Sequence, residues 1–154
     1  MKILVFGPEE RYRAYMPDFA GQLSAQVVYC PLGQSPVQAA GANPDTEILF
    51  TDPITDTGRE IMDLLPGLRL IQSEGVAYNR VDLEEARRRG IYVCNNKGCN
   101  ADSVAEHTVM LMLMALRHGI TGDRAVREGR QIQMKEAVMA SGSPELAEQT
   151  VGLI

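Results

Sequence analysis

Tryptophan is absent from this chain, histidine occurs twice, and aromatic residues make up only 5% of the whole. No apolar run reaches the length of a membrane-spanning helix, and the opening residues 1–7 are too short for a secretory signal and read instead as an immediate β-strand. Positive charge is not in excess: the net charge is −5 and the pI about 5.0. That excludes a general electrostatic attraction to nucleic acid or to an anionic membrane surface. There are three cysteines, Cys30, Cys94 and Cys99. An odd number without a small secreted frame argues against a disulfide scaffold and for a reducing, cytoplasmic setting. Cys94 and Cys99 have no Cys or His cluster at ligand spacing, so no metal site is expected.

What is present is globular. Apolar residues make up 45% of 154 residues, enough for one core that removes roughly two-thirds of the unfolded surface from water. Short apolar runs near residues 3–7, 25–30, 47–51, 68–72 and 91–94 read as five strands, each closed by Gly, Pro or Asp. Helical spacing appears between them: at residues 10–23 with a break at Pro17, at 36–40, at 57–65, and after Asp82, whose partner Glu85 suggests a capping box. Strands alternating with helices predict an α/β fold with a parallel, flavodoxin-like sheet in the order 2-1-3-4-5. Ligands of such sheets lie beyond the carboxyl ends of the strands, here residues 8–10, 52–53, 73–79 and 95–100.

Residues 101–118 differ. They form one long helix, capped by Asn100 or Asp102, that is apolar nearly all round from Val109 to Leu116. Such a helix needs cover on most sides, which predicts a second domain or a second copy of the chain against it. Residues 119–142 are polar, with one short helix expected at 123–128. Thr150-Val151-Gly152-Leu153-Ile154 reads as the start of a further strand. The expected organisation is therefore a flavodoxin-like domain over 1–100, a long helix and connecting segment over 101–148, and the start of a further strand over 149–154.

Three stretches resemble the D-2-hydroxyacid dehydrogenase family. Gly75-Val76-Ala77-Tyr78-Asn79-Arg80-Val81-Asp82 is similar to the family's Gly-x-Gly-x-Asp-Asn-Ile-Asp loop. Gly90-Ile91-Tyr92-Val93-Cys94-Asn95 leads to Asn100 and then to Ser103-Val104-Ala105-Glu106-His107 as in the family, and Leu146 to Ile154 resembles its approach to the Gly-x-Gly-x-x-Gly turn. The resemblance implies an oxidoreductase that moves a hydride between NAD(P)H and a small 2-oxo acid or D-2-hydroxy acid, with 1–100 as its substrate-binding domain, 101–148 as an interdomain helix and connecting segment, and 149–154 as the first strand of a truncated NAD-binding (Rossmann) domain. It implies that Gly75, Val76 and Ala77 hold the substrate carboxylate through backbone N–H groups, that Val76 lies against the nicotinamide, and that Val104 and Thr108 touch the cofactor. Cys99 falls where some D-lactate enzymes carry a substrate-facing tyrosine, and Thr51 where phosphoglycerate enzymes carry a substrate arginine, which counts against a phosphorylated substrate. The departures are Ala77 for the family's second glycine and Asn79 for its aspartate.

The family's catalytic arginine, glutamate and histidine are expected beyond residue 154. No catalytic residue is therefore assigned within the chain, and His107, His118 and Glu106 are read as structural. The chain alone is expected to be inactive, to bind no NAD or NADP tightly, and to pair with itself through residues 101–118 as a homodimer. A competing, non-enzymatic reading is a receiver-like phospho-acceptor or other flavodoxin-like binding domain, suggested by Glu9, Glu10, Asp52, Ser73 and Lys97 at strand ends.

Overall fold

The computed structural model describes residues 1–31 and 33–153, the side chain of Phe19 excepted. The chain forms two compact units, Met1–Cys99 and a second from Asn100 onward.

In the first unit, β1 (Lys2–Phe6), β2 (Gln26–Cys30), β3 (Ile48–Thr51), β4 (Leu70–Ser73) and β5 (Tyr92–Cys94) make one sheet in the order β2-β1-β3-β4-β5. Every pairing is parallel, so the expected 2-1-3-4-5 order is the observed one. The connections are helical: α1 (Glu9–Tyr15) and α2 (Phe19–Leu23) after β1, then α3 (Pro36–Gly41), α4 (Arg59–Leu64) and α5 (Leu83–Arg88). Pro17 separates α1 from α2, since a proline has no N–H for an interior helix bond.

The period-two alternation of the strands sorts their side chains onto two faces. Leu4, Phe6, Leu49 and Ile71 point to one side and pack with Ala39, Ala40, Ile61, Met62, Leu65 and Ala86 from α3, α4 and α5 and their ends. Ile3 and Val5 point to the other, where Tyr12 of α1 covers them and Val27, Tyr29, Ile48 and Phe50 stay half-buried. At the start of α5, Asp82 caps the helix through a bond from the Glu85 N–H, 2.9 Å. The Glu85 side chain does not complete a capping box. It turns to Arg88 and Arg89, while the Asp82 N–H donates to the Thr57 carbonyl.

The second unit is helical: α6 (Ala101–Leu116), α7 (Gly119–Arg127), α8 (Gln131–Ser141) and a 3-10 turn at Leu146–Glu148. Residues 119–142 thus carry two helices and not the single one expected at 123–128. Ile132, Met134, Val138 and Met139 of α8 are spread around its circumference, so no apolar stripe marks it in the sequence. His118, in a left-handed conformation at φ 54°, turns the chain from α6 into α7. Asn100 stands at the N-cap of α6 but makes no side-chain cap bond there. No residue of α6 is buried, although the 3-10 turn and α7 both contact it. Residues 149–153 adopt no helix or strand; Ile154, the end of the expected strand, lies outside the described residues. Among the described residues no helix is long and apolar enough to cross a membrane.

Candidate carboxylate site

β4 ends at Ser73, and the chain then runs through Glu74-Gly75-Val76-Ala77-Tyr78 along the carboxyl edge of the sheet. The bottom of this loop is fixed by burial. Ser73 and Thr51 are almost wholly out of water, and each hydroxyl is satisfied: Ser73 Oγ donates to the Ala77 carbonyl at 2.6 Å, and the Thr51 and Thr57 hydroxyls pair at 2.8 Å. The Glu74 N–H donates to the Thr51 carbonyl, 2.9 Å, extending the β3–β4 pairing by one bond.

Gly75 is required by close approach. A Cβ at this position would lie 2.5 Å from Cγ of Pro53. Pro53 is held there because the Asp52 carboxylate accepts the Ile54 N–H at 2.8 Å, which tightens the turn after β3. Neither Gly75 nor Ala77 has a positive φ. The substitution of alanine for the family's second glycine is therefore accommodated without strain, and the glycine that matters conformationally is constrained by packing and not by handedness.

Above this base the loop is held by its carbonyls. The exit from β5 lies alongside: Asn96 donates from its side chain to the Glu74 carbonyl (2.8 Å) and from its backbone N–H to the Gly75 carbonyl (2.9 Å), and the Asn95 side chain donates to the Val76 carbonyl (2.7 Å). With Ser73 on Ala77, four consecutive carbonyls are each tied to the sheet side. Among the described residues, the N–H groups of Gly75, Val76 and Ala77 meet no acceptor. Val76 and Ala77 are exposed, Val76 by 40%. A row of unclaimed donors on a tethered loop is suited to an anion.

Beneath Glu74 lies an ionic group that the sequence did not single out. Arg11 Nη1 lies 2.9 Å from Glu74 Oε2 and 3.8 Å from Asp52, and the Tyr12 hydroxyl donates to the other Glu74 oxygen. Burial raises the Glu74 carboxyl above the ordinary carboxylate range, against the opposing pull of Tyr12 and Arg11. Burial, reinforced by Glu74, also raises the Tyr12 hydroxyl. The only sequence cue was the apolar spacing of Tyr12 on α1; its partner 62 residues away has no local signature. Asn95 and Asn96 were likewise unassigned, because their role depends on β5 lying beside β4.

The expected site residues divide accordingly. Gly75, Val76 and Ala77 form one continuous surface. Cys99 is exposed in the turn after β5, its N–H on the Asn96 carbonyl at 3.2 Å. Val104 and Thr108 belong to the second unit. Both are exposed, and the Thr108 hydroxyl donates to the Val104 carbonyl one turn back, 2.7 Å. Of the residues behind the receiver-like reading, Ser73 is buried and committed to Ala77, and Asp52 lies 3.8 Å from Arg11, which it shares with Glu74. Among the described residues no three His, Cys, Asp or Glu side chains are grouped to hold a metal.

Comparison with known proteins identifies the family and the fold. The family model of the D-isomer specific 2-hydroxyacid dehydrogenase catalytic domain matches residues 3–151. The chain is 37% identical over 106 residues to a glyoxylate reductase of Thermofilum pendens, covering 69% of this chain and 30% of that protein. It is 44% identical over 71 residues to a 2-ketogluconate reductase of Gluconobacter oxydans, covering 46% of this chain and 23% of that one. Among solved structures, a dehydrogenase from Rhizobium meliloti superposes with a TM-score of 0.64 at 36% identity, over 82% of this chain and 44% of its own. An NAD-dependent formate dehydrogenase from Staphylococcus aureus, in complex with NAD, does so at 0.70 and 26% identity, over 84% and 42%. The chain therefore spans less than half the length of these relatives.

Proposed function

The chain belongs to the D-isomer specific 2-hydroxyacid dehydrogenase family, and on that premise we propose that it supplies the substrate-carboxylate cradle of an NAD(P)-dependent oxidoreductase acting on a small 2-oxo acid and its D-2-hydroxy counterpart. The observation that carries this reading is the loop 75–77, with its carbonyls tied down and its N–H groups unclaimed. The Val76 and Ala77 N–H groups take the carboxylate, which sets the distance and orientation of the neighbouring carbonyl carbon. The exposed Val76 side chain offers an apolar surface for the nicotinamide ring. The cofactor, when bound, supplies the hydride.

Thr51 is buried against Thr57, so it offers a substrate phosphate neither charge nor access. This favours an unphosphorylated acid, in keeping with the glyoxylate-reducing relatives. By resemblance, the arginine that polarises the carbonyl, the histidine that moves its proton and the glutamate that orients the histidine belong to the part of the relatives this chain does not cover. The 154 residues alone are accordingly inactive. The free thiols Cys94 and Cys99 suit a reducing cytoplasm.

The second unit carries the self-association. Val109, Met110, Leu113 and Met114 border one open apolar hollow on α6, and each is exposed by 38% or more. A two-fold copy of the same helix is the simplest cover for it.

Activity separates these statements. The purified chain is expected to leave NADH unoxidised with glyoxylate, pyruvate or hydroxypyruvate; turnover by it would refute the assignment of the catalytic groups to the remainder. In a full-length protein carrying this chain, Val76→Pro removes one donor and is expected to raise KM for the 2-oxo acid, while Ala77→Gly is tolerated. Unchanged KM in the proline variant would remove the loop from substrate binding.

A further inference from the structure

The two donors of the cradle are aimed by residues of a different strand. No peptide bond among the described residues is cis, and in a planar trans peptide the C=O of one residue and the N–H of the next point in opposite directions. Fixing the Gly75 carbonyl therefore fixes the Val76 N–H, and fixing the Val76 carbonyl fixes the Ala77 N–H. The first carbonyl is held by the backbone N–H of Asn96 at 2.9 Å and the second by the side chain of Asn95 at 2.7 Å. The Asn96 side chain holds the preceding carbonyl, that of Glu74, and its sense is set by Gln72, whose amide donates to Asn96 Oδ1 at 3.1 Å. Neither Gly75 nor Ala77 is locked by a left-handed conformation, and among the described residues the bond from Asn95 is the one that holds the Val76–Ala77 peptide itself.

We propose that Asn95 is a positioning residue for carboxylate recognition: it touches no substrate atom and acts by turning the Ala77 N–H away from the sheet, with Asn96 doing the same for Val76. This rests on the carboxylate reading of the loop. It differs from a stabilising role, because the Asn95 side chain is only half-buried and its bond joins two surface segments, so its loss leaves the core of the unit intact. With Asn95→Ala the Val76–Ala77 peptide samples both orientations, and one of two donors is lost for part of the time.

The test is amide-resolved NMR of the 154-residue chain titrated with oxamate, a stable 2-oxo acid analogue. The wild-type chain is expected to show saturable shifts at Val76 and Ala77. Asn95→Ala is expected to weaken binding about tenfold, the worth of one fixed donor to a charged acceptor, and to broaden or move the Ala77 amide signal before any ligand is added. Asn43→Ala, which removes a bond to the Ala39 carbonyl at the end of α3, controls for lost stability and is expected to leave both readouts unchanged. If Asn95→Ala binds oxamate within about twofold of wild type (~0.4 kcal/mol), the positioning role is overturned and the carboxylate reading stands. If the wild-type chain shows no shift at Val76 or Ala77, the carboxylate reading fails and takes the positioning role with it.

Discussion

Leu4, Leu49, Ile71 and Met62 in the sheet unit are removed completely from water, whereas Val104, Leu111 and Leu113 on α6 keep 54%, 52% and 40% of their surface exposed. Both regions are rich in apolar residues, so composition does not separate them. Geometry does. A strand sends alternate side chains to opposite faces, and five strands with three helices on one side close a core within 99 residues. A helix apolar on nearly every side needs neighbours all round, and among the described residues α6 packs mainly against α7 and a 3-10 turn. The sheet unit thus closes a core of its own, whereas the helical unit leaves the apolar side chains of α6 in contact with water.

The sharpest way to break this contrast is to truncate one residue in each region. Leu49→Ala is expected to cost ~2–5 kcal/mol in denaturant unfolding, as a large-to-small change in a closed core. Leu111→Ala is expected to cost less than ~0.5 kcal/mol at protein concentrations where the chain is monomeric. Equal losses would mean that α6 is buried in solution by the chain itself.

Association is the next largest effect. Burying one of the exposed Met side chains at an interface is worth ~1.5–3 kcal/mol, so Met110→Glu and Met114→Glu are each expected to shift a dimer towards monomer in size-exclusion light scattering. Met112, half-buried within the unit, is expected to lower helix stability more than association. A monomer of 16.9 kDa for the unmodified chain at every concentration would refute the pairing.

Two glycines sharpen the comparison further. Gly75→Ala sets a Cβ against the Pro53 ring and is expected to cost ~1–3 kcal/mol. Gly122→Ala, inside α7 with nothing within 4 Å of the new Cβ, is expected to add ~0.4–1 kcal/mol by restricting the unfolded chain. A stabilising Gly75→Ala would show that the loop yields where the packing says it does not.

The smallest effect is electrostatic and belongs to α5. Bonds from Arg88 and then Arg89 lower the Glu85 carboxyl from 4.5 to about 2. A folded-state value below the unfolded one means this contribution is fully present above the unfolded value and is lost as pH falls towards 2. The melting temperature of Glu85→Gln should therefore change less than that of the parent between pH 5 and pH 2, a window set by that printed shift. Parallel pH profiles would deny the pairing any role in stability.

Strand positions, the sheet order and the Asp82 cap were legible because they follow from apolar runs closed by Gly or Pro, from the alternation of strands with helices, and from a capping side chain. Helix α8 was not legible, because its apolar residues form no stripe and it lacks a capping side chain at its start. Ala77 departs from the glycine of the motif it resembles, and only the structure shows that the backbone there has no positive φ to forbid it.

The amino-acid sequence by itself determined the α/β alternation and the family likeness, and marked the loop 75–77 as a candidate segment, since these follow from residue types at short spacing. Only the tertiary structure decided what holds that segment. Asn95 and Asn96 reach the loop across 19 and 22 residues, and Tyr12 and Arg11 reach Glu74 across 62 and 63. Bonds of that span exist because parallel pairing brings the ends of β1, β4 and β5 to one edge of the sheet, and no local pattern in the chain records which partners meet there.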